Sequence, residues 1–153
     1  QRSNSDHIVI DMPPEVMVVA LDEREWLHLL SEYMPGSNQS ECTFVKGAIE
    51  NSETMHEAAE RHLKEKLGFE AKNIELLLKF NNQPSLSTSV TYIVLATVDS
   101  KLKCLDNNIE GPNPYKRKIA PLPVMANART WYFKCPRCLA AVDVLIMQRF
   151  SKL

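Results

Sequence analysis

The stretch from Ser52 to Phe69 constrains this chain more than any other. Met55, Ala59, Leu63 and Leu67 recur at i, i+4, so they share one face of a helix. Ser52 or Glu53 stands ahead of the run as a capping side chain, and Gly68 follows it, where a left-handed φ meets no Cβ clash. The spacing predicts a helix over 54–67 with one apolar face that needs a sheet or a second helix to cover it.

The flanking segments read as strands. Residues 16–21 are an apolar run after Pro13-Pro14, and residues 26–30 return after the turn at 22–25, so 16–30 is a predicted hairpin. Residues 34–40 form a loop, and 42–45 a third short strand. Residues 74–80 and 90–98 are further strands, the second rich in β-branched and aromatic residues. Residues 99–123 read as a long connection holding Pro112, Pro114, Pro121 and Pro123, and 124–125 as a short strand. Leu139, Val142, Leu145, Ile146 and Phe150 stripe a closing helix over 137–150. Residues 1–10 are expected to be disordered or loosely held, and 11–153 to be a single domain. The order strands, helix, strands, helix implies an α+β fold, an α/β/α sandwich around a mixed β-sheet.

Composition excludes several machines. The chain has 153 residues and 4 glycines, against a usual share of roughly 7%. Gly36, Gly47, Gly68 and Gly111 are too far apart for a dinucleotide fingerprint or a Walker loop. Lys plus Arg is 18 and Asp plus Glu is 19, a net charge of −1, so nothing forces a nucleic-acid or membrane partner. The run Lys116-Arg117-Lys118 reads as a solvated loop, with a phosphate or RNA contact as the alternative. No apolar stretch reaches the ~18 residues of a membrane span, and the expected location is intracellular, cytoplasmic or organelle matrix, rather than secreted. Cys42 and Cys104 sit alone, whereas Cys135-Pro-Arg-Cys138 is a single CxxC ahead of a helical run. It fits structural cysteines in a reducing compartment, half of a zinc site, or a redox-active thiol at a helix N-terminus.

Residues 47–69 resemble the Nudix box, G-x5-E-x7-R-E-U-x-E-E-x-G-U, where U is aliphatic or aromatic. Gly47, Glu53, Arg61, Leu63, Glu65, Gly68 and Phe69 fall on matching positions without a gap. His62 and Lys66 stand where the family has glutamates. The likeness extends over much of the chain, through Glu15-Val-Met-Val-Val, Ser31-Glu32-Tyr33, Phe44-Val-Lys-Gly47, Glu57-Ala-Ala, Pro84-Ser85 and Glu110-Gly111. These are similar to the ADP compounds hydrolase (NudE-like) subgroup of ADP-ribose and NADH diphosphatases. The resemblance implies a Nudix fold, a nucleoside diphosphate derivative of the ADP-ribose type as ligand, Mg²⁺ or Mn²⁺ as cofactor if the protein is active, and a homodimer or other protein partner. Glu53, Glu65 and Arg61 are the implied catalytic residues. Lys66, Lys46 and Tyr33 are candidates for ligand binding, and Glu65, His62 and Glu110 for metal ligation.

Carboxylates at i, i+3 and i+4 of one helix point the same way and gather a hard cation. Here those positions are His62, Glu65 and Lys66, so one carboxylate remains and a cation stands where a cation should bind. Three readings follow. The cleft survives without efficient hydrolysis, and Lys66 and Arg61 hold phosphate directly. Or His62 and Glu65 ligate a softer ion such as Mn²⁺ or Zn²⁺, helped by Glu53, Glu57 or Glu110. Or the fold serves as a structural or partner-binding subunit, with RNA as one conceivable partner. Plainer roles stand beside these. Arg61–Glu53 reads as a structural pair, His62 as polar surface, Lys66 as an exposed lysine near a helix C-terminus. Trp26, Tyr33, Trp131 and Tyr132 read as core or rim aromatics, with Tyr33 or Phe80 as candidates for adenine stacking.

Overall fold

The computed structural model describes residues 7–103 and 116–151. Its elements in chain order are β1 (Glu15–Asp22), β2 (Trp26–Met34), β3 (Gln39–Thr43), β4 (Val45–Ala48), α1 (Met55–Leu67), β5 (Phe69–Asn81), β6 (Val90–Lys103), β7 (Lys116–Pro121), α2 (Leu122–Tyr132) and α3 (Pro136–Phe150). All seven strands join one sheet, with the path β3-β2-β1-β6-β5, β4 paired to β1 and β7 paired to β2. β1 and β6 run parallel and the other pairs antiparallel, so the sheet is mixed, as expected.

β1 shows why the sheet needs helices on both sides. Its side chains alternate between two cores. Met17, Val19 and Leu21 pack with Phe44, Met125, Phe133, Val142 and Leu145 under α2 and α3. Val16, Val18 and Ala20 pack with Ala59, Leu63, Leu67 and Phe69 under α1. A strand covered on both faces reads as a continuous apolar run, which is how 16–21 reads. The expected α+β class and α/β/α layering are present.

Helix α1 ends as its sequence dictates and begins one residue later than its sequence suggests. Gly68 takes φ 73° and its N–H donates to the Lys64 carbonyl at 3.0 Å. The N-cap is Thr54, not Ser52 or Glu53. Thr54 Oγ1 accepts from the Glu57 N–H at 3.2 Å, and Glu57 Oε2 accepts from the Thr54 N–H at 2.7 Å, a reciprocal capping box. Glu53 is thereby released to face Arg61.

The connection after β6 departs most from expectation. β6 continues through Lys103, and Lys116-Arg117-Lys118 is strand β7 rather than a solvated loop, paired with Ser31, Leu30 and Leu29 of β2. Val124 and Met125 lie in α2, not in a strand. Pro121 and Pro123 sit at the N-cap and first turn of α2, where a missing N–H is harmless. Trp131, read as core or rim, is 86% exposed. Ile10 forms a bridge to Ser87. Among the described residues no helix is long and apolar enough to cross a membrane.

The β1–β2 turn is organised by one buried carboxylate. Asp22 accepts from the N–H groups of Arg24 (2.9 Å) and Trp26 (3.1 Å), from Arg24 Nη2 (2.7 Å) and from His28 Nε2 (2.9 Å). Burial by itself raises its pKa, but the bonds from Arg24, His28 and the backbone win and hold it at about 2. The folded value lies below the ordinary unfolded one, so this stabilisation is complete above about pH 5 and is lost as pH falls toward 2. In denaturant titrations across that range the wild type should lose on the order of 2 kcal/mol more than Asp22→Asn. Parallel pH profiles for the two proteins would show that Asp22 does not drive acid unfolding.

Candidate functional site

Gly47, in β4, faces His62 in the middle of α1, and the side chains of His62 and Lys66 reach from α1 to the β4 backbone. Arg61 is held by the loop that precedes its own helix. Its Nε donates to Glu53 Oε2 at 3.0 Å, and its Nη2 donates to Glu53 Oε1 at 2.5 Å and to the Ala48 carbonyl at 3.3 Å. Glu53 Oε1 also accepts from the Glu50 N–H at 3.0 Å. The Arg61 guanidinium, with that N–H, pulls the Glu53 carboxyl down to about 2, and Glu53 in turn raises Arg61. Such a bidentate pair fixes the loop geometry. Glu65 is the outer neighbour, 3.8 Å from Arg61 Nη1 and more than half exposed.

His62 does not lie on a polar surface. It is 7% exposed, and its Nε2 donates to the Ala48 carbonyl at 2.9 Å. Its Nδ1 is buried with no hydrogen-bond partner among the described residues. The imidazole occupies the space over Gly47, where any Cβ would overlap its ring. The glycine is therefore needed for close approach. His62 thus faces inward, with Nε2 spent on the α1–β4 contact and Nδ1 enclosed against Gly47.

Lys66 reaches back to the same strand. Its Nζ donates to the Lys46 carbonyl. Burial lowers its pKa, and Lys46 adds to that, while Glu32, Glu65 and Glu15 oppose it. The ammonium is thus half-buried on a backbone oxygen, and the charges of Glu32, Glu65 and Glu15 favour it. Among the described residues no three His, Cys, Asp or Glu side chains are grouped to hold a metal. A +2 ion at 4 Å from an ammonium meets roughly 4 kcal/mol of repulsion per unit of its charge in a partly solvated site. The residues present do not fit the magnesium that the box pattern implies.

Beside this cluster lies a cleft of about 660 Å³ lined by Met12, Glu15, Phe80, Ser87, Ser89 and Arg137, among others. Arg137 Nη1 donates to Glu15 Oε1 at 2.6 Å across its wall. Glu15 links the two places, since it lines the cleft and acts on Lys66. Phe80 is in the cleft wall. Tyr33 is 55% exposed near the end of β2, where its hydroxyl donates to Asn38 Oδ1 of the following turn at 2.6 Å. Glu110 lies outside the described residues. Sequence reasoning missed the roles of Glu15, Glu32 and Arg137. No spacing rule marks them, because they come together only through the β1–β4 and β1–β6 pairings and the docking of α3.

Comparison with known proteins agrees with this architecture. Residues 11–113 match the NUDIX domain family. Over 81 residues the chain is 40% identical to ADP compounds hydrolase NudE of Escherichia coli (strain K12), a match spanning 53% of this chain and 43% of that protein's length. A crystal structure described as ADP compounds hydrolase superposes with a TM-score of 0.76 at 28% identity, covering 91% of this chain and 74% of the other. Gly47, Glu53, Arg61, Glu65 and Gly68 stand at box spacing on a loop and helix above a mixed sheet, two thirds of the chain matches the family, and the fold is that of a solved hydrolase of this type: the chain belongs to the Nudix family.

Proposed function

We propose that this protein binds a nucleoside diphosphate derivative of the ADP-ribose type in the Glu15–Phe80–Arg137 cleft, and that magnesium-dependent hydrolysis is lost or strongly reduced. The observation that carries this reading is the Lys66 ammonium on the Lys46 carbonyl, amid Glu15, Glu32 and Glu65. It neutralises those carboxylates internally and repels the ion whose charge would offset that of two phosphates during hydrolysis. Arg137, in the cleft wall, supplies a guanidinium of the kind that binds diphosphates. Phe80 offers a flat apolar face within the cleft. The similarity to ADP compounds hydrolases supports the ligand class.

An altered metal shell at His62 and Glu65 is the weaker reading, because His62 is buried while Glu65 is more than half exposed, and among the described residues no three His, Cys, Asp or Glu side chains are grouped to hold a metal. The test has two arms. With ADP-ribose, NADH or diadenosine phosphates and either Mg²⁺ or Mn²⁺, turnover should fall at least ~10³-fold below the 1–10³ s⁻¹ usual for enzymes. Calorimetry with ADP-ribose should show saturable heat in EDTA as well as in Mg²⁺. Ordinary turnover would overturn the loss of hydrolysis, and absence of heat at millimolar ADP-ribose would overturn binding.

A further inference from the structure

We propose that Cys135 and Cys138 form a redox-active dithiol, which exchanges with low-molecular-weight disulfides and closes a Cys135–Cys138 disulfide at the N-terminus of α3. Cys135 is the N-cap of that helix, Pro136 opens it, and Cys138 lies within its first turn. The two cysteines therefore stand three residues apart at the N-terminal end of one helix, at the N-cap and in the first turn. Both are free thiols. They are not equivalent. Cys135 is partly exposed, whereas Cys138 is fully buried beneath it, with its Sγ 3.5 Å from Thr43 Oγ1.

The surroundings separate an attacking sulfur from a resolving one. The Cys138 thiol, the Arg137 guanidinium and the N–H groups of Arg137 and Cys138 favour the Cys135 thiolate and lower its pKa, against the opposing effect of burial. Interaction with Cys135, then burial, pushes the Cys138 thiol up. A thiolate at a helix N-terminus beside an arginine is the nucleophilic form of cysteine. No third His, Cys, Asp or Glu joins the pair among the described residues, so a closed tetrahedral zinc site is not assembled from them.

The exchange runs in two steps. The Cys135 thiolate attacks one sulfur of the disulfide RSSR. A Cys135–S–S–R bond forms, the S–S bond of RSSR breaks, and RS⁻ leaves. That RS⁻ takes the Cys138 proton. The Cys138 thiolate then attacks Cys135 Sγ, expels the second RS⁻, and completes the intramolecular disulfide. Starting from the Cys135 thiolate and the Cys138 thiol, the protein loses two electrons and one proton, and RSSR becomes one RSH and one RS⁻, which takes its proton from solvent. Pro136 and Arg137, the residues between the two cysteines, line the cleft, so the dithiol borders the ligand site, yet its chemistry does not depend on any reading of that site.

The experiment incubates the full chain with glutathione disulfide at pH 7, quenches with acid, alkylates the remaining thiols and maps them by mass spectrometry. Trypsin cleaves after Arg137 and separates the two cysteines, so a covalently joined peptide pair reports the disulfide. The expected result is that pair, lost on reduction and unchanged in Cys42→Ser. Cys135→Ser should give no disulfide at this site, and Cys138→Ala should accumulate glutathione on Cys135. Alkylation of Cys135 by iodoacetamide should stay fast at pH values where an ordinary free thiol has become slow, a readout that does not need the buried variant to fold. Full alkylation of both cysteines after excess glutathione disulfide would overturn the proposal. So would stoichiometric zinc that protects both thiols.

Discussion

Lys66→Glu should convert a metal-indifferent protein into one whose stability depends on Mg²⁺. In the wild type the ammonium bonds the Lys46 carbonyl and offsets Glu15, Glu32 and Glu65. The substitution removes that cation and puts a carboxylate in its place, in the field of Glu32, Glu65 and Glu15. In EDTA the variant should be less stable than the wild type, because like charges in a half-buried site repel. With Mg²⁺ at about 100 times its Kd, binding restores about 2.7 kcal/mol, which is roughly 5–11 °C in Tm for a domain of this size. The wild type should not respond to Mg²⁺. His62→Glu added to Lys66→Glu restores both glutamates of the box, and the double variant should hydrolyse ADP-ribose at least ~10²-fold faster than wild type, since each decade requires only about 1.4 kcal/mol of barrier. Equal Mg²⁺ shifts in wild type and Lys66→Glu would show that Lys66 does not exclude the ion, whatever the activities are.

Gly47→Ala should be the most damaging small substitution in the site. A Cβ there lies 2.6 Å from His62 Nδ1 and closer still to Cε1 and Nε2. The ring cannot swing away easily, because it is buried and tied to the Ala48 carbonyl. Overpacking of this kind costs about 3 kcal/mol, or roughly 6–12 °C in Tm. The cause is separable by a double-mutant cycle. His62→Ala removes the obstructing ring, so Gly47→Ala should cost at least ~1 kcal/mol less in that background. Additive effects would mean that the glycine is required for some reason other than His62.

The helix at the heart of the site was legible because its determinants are local. The i, i+4 apolar face, the Gly68 stop and the spacing of Glu53 from Arg61 depend only on helix period and backbone sterics. The cap was misplaced by a residue or two because Ser52, Glu53 and Thr54 all accept hydrogen bonds, and only the reciprocal bond from Glu57 decides among them. Residues 116–125 misled for a different reason. Basic residues and prolines look like a loop, but β2 offers an edge that Lys116-Arg117-Lys118 can pair with, and Pro121 and Pro123 open a helix. Trp131 looked apolar enough to be core, yet its position on α2 points it to solvent.

Sequence alone therefore determined the family frame: two-sided burial of β1, the box helix and its stop, and the replacement of two acidic positions by His62 and Lys66. Only the tertiary structure decided what those replacements do. His62 turns inward because Gly47, on strand β4, leaves room for its ring. Lys66 becomes a half-buried cation because the Lys46 carbonyl of β4 accepts from its Nζ and the charges of Glu32 and Glu15, on β2 and β1, favour it. Electrostatic partners act through space, and the residues that surround this ammonium are brought together by strand pairing rather than by spacing along the chain.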